Sequence, residues 1–207
     1  MRLQFGELNI TPRVEERLEE LGYTPEELQE AVSQHKSGCD GEPSVYVGTY
    51  GKYNDGSLCG LWIDLSSFNS YNDFIEFCQA IHADEEDPEL DAQDWECLPP
   101  GLDGDDLFLS DKWDVLQEYL ELCDRYDSDA VDAYVSCFDL DSLHRFEERY
   151  QGEYDSEEDF AEYIVSELYD LDRTMGNLSY YFDYEKYARD IFMCDYTMED
   201  KYVFIND

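Results

Sequence analysis

The sequence predicts an α+β protein of several small units, preceded by a helical N-terminal extension. Three observations predict it. Strand-like runs flank turn chemistry between residues 44 and 65. Apolar residues then recur at helical spacing, with brief connections, from about residue 71 to 192. A short apolar run, Tyr202–Ile205, reads as a closing strand.

In chain order, Thr11-Pro12 supplies an N-cap and a first-turn proline. Val14, Leu18 and Leu21 follow on one face, and Gly22 ends the helix. Thr24-Pro25-Glu26-Glu27 opens a second helix with a capping box. Lys36-Ser37-Gly38-Cys39-Asp40-Gly41 reads as a linker. This extension could resemble a DNA-reading helix pair, but residues 1–42 carry 4 bases and 10 acids. A docking or dimer-supporting role fits that balance better. Ser44–Tyr50 is expected to pair with Leu58–Leu65 through an Asn54-Asp55-Gly56 turn. Phe74, Phe77, Cys78 and Ile81 stand at i, i+3, i+4 and i+7 in a helix over 71–82. Short helices are expected at 111–123, 129–138 and 141–150, forming a small helical unit. Ser156, with Asp159 three residues on, caps a helix carrying Phe160, Tyr163, Ile164 and Leu168. A last helix near 184–192 precedes the final strand. No internal repeat of useful period occurs.

Composition narrows what such a protein does. Against 13 Lys+Arg stand 53 Asp+Glu, a net charge of −40. The phosphate backbone repels such a chain, which excludes direct nucleic-acid binding. An anionic membrane surface is disfavoured equally. Disordered acidic chains lack aromatics. This one has 3 Trp, 18 Tyr and 11 Phe, enough for folded cores. The longest apolar runs are four residues, as at Ile191–Cys194, against the ~20 that a membrane span needs. The N-terminus has no apolar signal-peptide core, so a cytoplasmic protein is expected. Seven scattered cysteines without a CxxC suggest neither a disulfide framework nor a zinc site; buried small apolar roles are expected.

No catalytic constellation stands out. His35, His82 and His144 are the only histidines, and HExxH, GxSxG, P-loop and GxGxxG motifs are all absent. His82 and His144 read as surface or capping residues. The loop from Asp103 puts Leu107 at position five and Phe108 where an EF-hand needs glycine. The loop from Asp139 puts Leu143 and His144 there. No cofactor, metal or catalytic residue is assigned, and an enzyme is not expected.

The charge itself is then the signal. Forty charges match roughly 68 Å of duplex, about 20 base pairs at one charge per 1.7 Å. A compact globule of this length would be only ~43 Å across, so an elongated shape would bring its charges to DNA-like density. A head-to-head dimer would double that to roughly 40 base pairs. Carboxylates would stand where DNA presents phosphates, and the partner would be an enzyme with a basic groove. Residues 84–114 hold 13 acids and one base, and residues 153–172 hold 9 acids and no base. The densest patches are Asp84, Glu85, Glu86 and Asp87, with Glu89, Asp91, Asp94 and Glu96; then Asp103, Asp105 and Asp106; and finally Glu153, Asp155, Glu157, Glu158, Asp159 and Glu162.

Particular motifs sharpen this. Val45–Asp64, VYVGTYGKYNDGSLCGLWID, resembles the opening of the ArdA family of antirestriction proteins. Glu89–Glu96, ELDAQDWE, resembles that family's acidic segment ending in D-[WY]-E. Phe146–Tyr154, FEERYQGEY, leading into Ser156–Phe160, also fits. Tyr181–Asp190, YFDYEKYARD, resembles its C-terminal motif. The matches keep their order from about residue 44 onward. The resemblance implies an acidic DNA mimic carried on mobile elements such as conjugative transposons. It implies binding to the methyltransferase core of type I restriction-modification enzymes and protection of incoming DNA. It also implies small subdomains in a curved row, with a homodimer formed through the last. With the element order, this gives an extension over 1–42, an α/β subdomain over 43–104, a helical one over 105–148 and a dimerising α/β one over 149–207. The Asn54-Asp55-Gly56 turn is structural in this reading, and Tyr181, Phe182 and Tyr187 are core.

Two other readings share the electrostatics. One is halophilic adaptation, since only five lysines occur (Lys36, Lys52, Lys112, Lys186, Lys201). The other is an acidic masking or chaperone protein for a different basic DNA-binding partner. Single surface charges contribute little each. Glu157→Gln alone is therefore expected to change partner affinity little. Neutralising Asp84, Glu85, Glu86 and Asp87 together is expected to weaken it at low salt; unchanged affinity for that quadruple variant would remove the patch from the interface.

Overall fold

Local capping fixes where the first helices begin. In the computed structural model, which describes residues 8–35 and 43–206, Thr11 accepts the Val14 amide and Pro12 opens α1 (Pro12–Glu20). Thr24 and Glu27 close a reciprocal capping box at the start of α2 (Pro25–Gln34). Both caps satisfy amides that a helix start leaves without partners. Gly22, at φ 81°, ends α1 in the left-handed region that glycine adopts without strain. The expected linker at 36–41 lies outside the described residues.

These helices pack. Val14, Leu18, Leu28 and Val32 are buried. Tyr23 meets Phe77 with ring centroids 6.4 Å apart. His35 stacks on Phe68 at 5.5 Å and lies 4.7 Å from Phe77.

The first sheet grows around its middle strand. β1 (Ser44–Thr49) runs into α3 (Tyr50–Asn54) and returns as β2 (Leu61–Asp64), antiparallel from Ser44↔Asp64 to Val47↔Leu61. The connection is therefore a helical turn and a loop, not the tight Asn54-Asp55-Gly56 turn expected. Thr49 is the reason, since its side chain accepts the Lys52 amide and starts a helix. Gly56, at φ 80°, follows where that helix ends. The return strand is accordingly shorter than the expected 58–65.

α4 (Tyr71–Ile81), capped by Ser70, buries Phe74, Phe77, Cys78 and Ile81 as their spacing requires. β3 (Leu90–Glu96) then pairs antiparallel with the other side of β1, with a bulge opposite Tyr46/Val47, and the sheet order is β2-β1-β3. Periodicity gave no strand here, because backbone pairing to β1 stabilises an acid-rich edge that the apolar pattern does not mark. A 3₁₀ turn at Gly104–Phe108 leads into α5 (Ser110–Arg125), where Trp113 stacks on Phe74 at 4.8 Å.

The chain divides into two units, one to Leu120 and one from Glu121, with the division inside α5. In the second, Asp127 caps α6 (Ser128–Phe138). The helix expected over 141–150 is a 3₁₀ segment, Leu140–Arg145, followed by the single turn α7 (Phe146–Arg149). Tyr150 instead begins β4 (Tyr150–Glu153), where its ring stacks on Phe146 at 5.2 Å. α8 (Glu157–Leu168) starts at its Ser156 cap. α9 (Leu171–Met175), a 3₁₀ segment at Gly176–Tyr181 and α10 (Tyr184–Ile191) follow, then β5 (Tyr196–Glu199) and β6 (Tyr202–Ile205). The sheet is antiparallel, in the order β4-β6-β5.

Alternation along β6 builds two cores. Phe204 meets Tyr134 at 5.5 Å and Phe146 at 6.3 Å. Val203 joins Phe160, Ala161, Ala188 and Ile191 from α8 and α10. The fold class is thus α+β, as the sequence predicts. Among the described residues no helix is long and apolar enough to cross a membrane.

One glycine sets how closely the 3₁₀ turn at Gly104 approaches β3. A Cβ on Gly104 would lie 2.5 Å from the Trp95 ring and 2.8 Å from the Ala92 Cβ. Gly104→Ala is expected to cost about 1–3 kcal/mol by overpacking. Urea unfolding monitored by tryptophan fluorescence reads this, and an unshifted midpoint would mean that the turn does not rest on Trp95.

Candidate acidic interface

Each nominated acid sits on an element whose local chemistry places it. Asp84, Glu85, Glu86 and Asp87 form the loop after α4, Glu89 precedes β3, and Asp91, Asp94 and Glu96 lie along β3. Asp103, Asp105 and Asp106 start the 3₁₀ turn. The close approach at Gly104 brings that turn against β3, so the second nominated patch adjoins the first. Asp84, Glu86, Asp87, Glu89, Asp94, Asp103 and Asp105 are exposed, while Glu85, Asp91, Glu96 and Asp106 are half-buried. Asp106 accepts the Asp103 amide at 3.1 Å, so it also works as a cap.

The 84–87 loop is not a simple row of solvated charges. Lys52 Nζ lies 2.9 Å from Asp84 Oδ1 and 3.6 Å from Glu85 Oε1. Thr49 Oγ1 donates to the same Glu85 oxygen at 2.6 Å. Arg13 pairs with the Glu86 carboxylate at 3.0 Å, and the Arg17 guanidinium donates to the Glu86 carbonyl. Four negative charges thus face three positive ones, a local balance of −1.

Beneath this loop, His82 is 1% exposed at the C-cap of α4. The capping half of the sequence expectation holds and the surface half does not, because the ring lies over β1. Lys52 donates to Nδ1 at 2.9 Å, which leaves Nε2–H to donate to the Val47 carbonyl at 3.3 Å. Burial and then the Lys52 charge lower the His82 pKa to about 4. Sequence reasoning missed this network and both arginine contacts. The one available signal was that Lys52 is among only five lysines.

The third patch lies on the second unit. Glu153, Asp155, Glu157, Glu158, Asp159 and Glu162 are all exposed. Glu157, Glu158 and Asp159 occupy the first turn of α8, where the helix dipole stabilises negative charge. Glu153 pairs with Lys201 at 3.0 Å. On the same unit an open groove of about 880 Å³ is bordered by Leu168, Tyr169, Leu171, Tyr180, Phe182 and Tyr184. Tyr181, expected in the core, is 83% exposed, because it ends the 3₁₀ segment on the outside of the unit. Phe182 and Tyr187 are half-buried.

Among the described residues no group of three or more His, Cys, Asp or Glu side chains could hold a metal ion. The family model described as antirestriction protein (ArdA) matches residues 45–204, most of the 207-residue chain. No curated protein matches it.

The buried histidine gives a pH signature. Its folded pKa lies below its unfolded value, so its contribution to stability is complete above pH ~6.5 and is lost as pH falls from there to about 4. An NMR titration should find the His82 ring neutral at pH 5.5. A ring titrating near its ordinary value would contradict this burial.

Proposed function

The chain belongs to the ArdA family of antirestriction proteins, and from that premise we propose that it is a carboxylate mimic of B-DNA. It occupies the DNA-binding groove of the methyltransferase core of type I restriction-modification enzymes and so protects incoming mobile DNA. The observation that carries the reading is the net charge of −40 on a chain with two aromatic-rich cores. Such a charge opposes compaction, and a protein that needed only solubility would not require it.

Placement of the acids supports the same reading. Those of β3 and the first turns of α8 are held by a strand and a helix rather than by a floppy tail. Preorganised carboxylates let a basic groove dock without first ordering them. A lattice of like charge also steers a cationic partner and speeds encounter at low salt.

The mimic works as a homodimer in this proposal. Exposed Leu168, Tyr169, Leu178, Tyr180 and Tyr181 in the C-terminal unit supply an apolar, aromatic surface for a second copy. Pairing two copies doubles the length of acidic surface offered to one groove.

Competition tests the reading. The protein is titrated into a type I methyltransferase core bound to labelled target duplex, at two salt concentrations. Near-stoichiometric displacement, weaker at higher salt, is expected. Absence of displacement at low salt by folded protein would sink DNA mimicry and favour a masking role towards another basic protein.

A further inference from the structure

Three of the chain's 13 basic residues reach the loop Asp84 to Asp87, Lys52 and Arg13 at its carboxylates and Arg17 at the Glu86 main-chain carbonyl. They are of two kinds. The Lys52 side chain is only 15% exposed and is tied to two carboxylates and to His82, so it is a fixed part of the site. Arg13 and Arg17 come from α1, outside the span that the family model matches. They stand four apart and therefore share a helix face. In the Arg13–Glu86 pair the side chains are 70% and 86% exposed, and such a pair is weak and readily exchanged.

The scaffold behind them is not loose. Leu18 and Leu28 are fully buried, and Tyr23 and His35 pack on Phe77. The arginines are thus delivered to the loop at high effective concentration, against which a single cation from solution competes poorly. A groove that brings several cations at once competes well.

We propose that Arg13 and Arg17 are specificity-determining residues, an intramolecular stand-in for a partner's arginines that screens the 84–87 loop from weakly basic proteins. The proposal rests on the reading that a basic groove docks on these carboxylates. Its consequence is discrimination: removing the stand-in should favour weak cationic ligands more than strong ones.

The test uses the full chain carrying Arg13→Gln and Arg17→Gln. It is titrated with triarginine and with the methyltransferase core, and compared with a Lys186→Gln/Arg189→Gln control that makes the same charge change on α10. Triarginine should bind the α1 variant about three- to tenfold tighter than the native chain at low salt. The gain should be smaller for the core and smaller for the control. Equal gains in the two variants would reduce the effect to net charge and overturn the proposal, as would no gain at all. Arg13→Gln alone alters an exposed side chain and should show part of the gain; if the double variant unfolds, this single variant decides. Failure of the native chain to bind the core would count against the proposed function, while the triarginine arm would still judge the stand-in.

Discussion

Carboxylates outnumber basic side chains by 53 to 13 in this protein, and their mutual repulsion acts against every compact arrangement of the chain. Two devices make folding possible under that load. One is apolar: rings stack and tilt against one another, as Phe74 does on Trp113 and Tyr134 on Phe204. Such pairs add to the burial of large side chains. The other is placement. Acids sit where the backbone has positive character to offer, at Glu27, at Asp106 and along the first turn of α8.

Bases are scarce enough that their use is informative. Lys52 is half-enclosed beside a buried neutral imidazole, which it helps to keep neutral. Lys201, in the turn before β6, pairs with Glu153 at the end of β4. A carboxylate paired with an internal cation differs from a free one as a docking point, since a partner gains less by approaching it. Charge counted along the sequence and charge presented by the surface therefore diverge, most of all at residues 84–87.

Much of the fold is legible in the sequence where local rules decide it. Thr11, Thr24, Ser70 and Ser156 each cap the helix they announce, and the stripe from Phe74 to Ile81 is buried as its spacing requires. The elements that escaped depend on partners distant in the chain. β3 and β4 are strands because β1 and β6 lie beside them, not because of their own apolar pattern. The acids of the proposed interface were visible as composition, and the motif segments marked the family. Their cationic neighbours were not visible, because Arg13 lies 73 positions from Glu86 and Lys52 lies 32 from Asp84. Only the folded chain brings them together.

The order β2-β1-β3 leaves β3 as one edge of its sheet, opposite β2, and that edge carries Asp91, Asp94 and Glu96. An open strand edge is a template on which another chain can add its own strand, the first step towards aggregates. Here two such edges would meet carboxylate to carboxylate. Acidity on β3 thus guards the fold against self-templating even with no partner bound, and a substitution that lightened this strand's charge would expose a fresh seam for fibril growth.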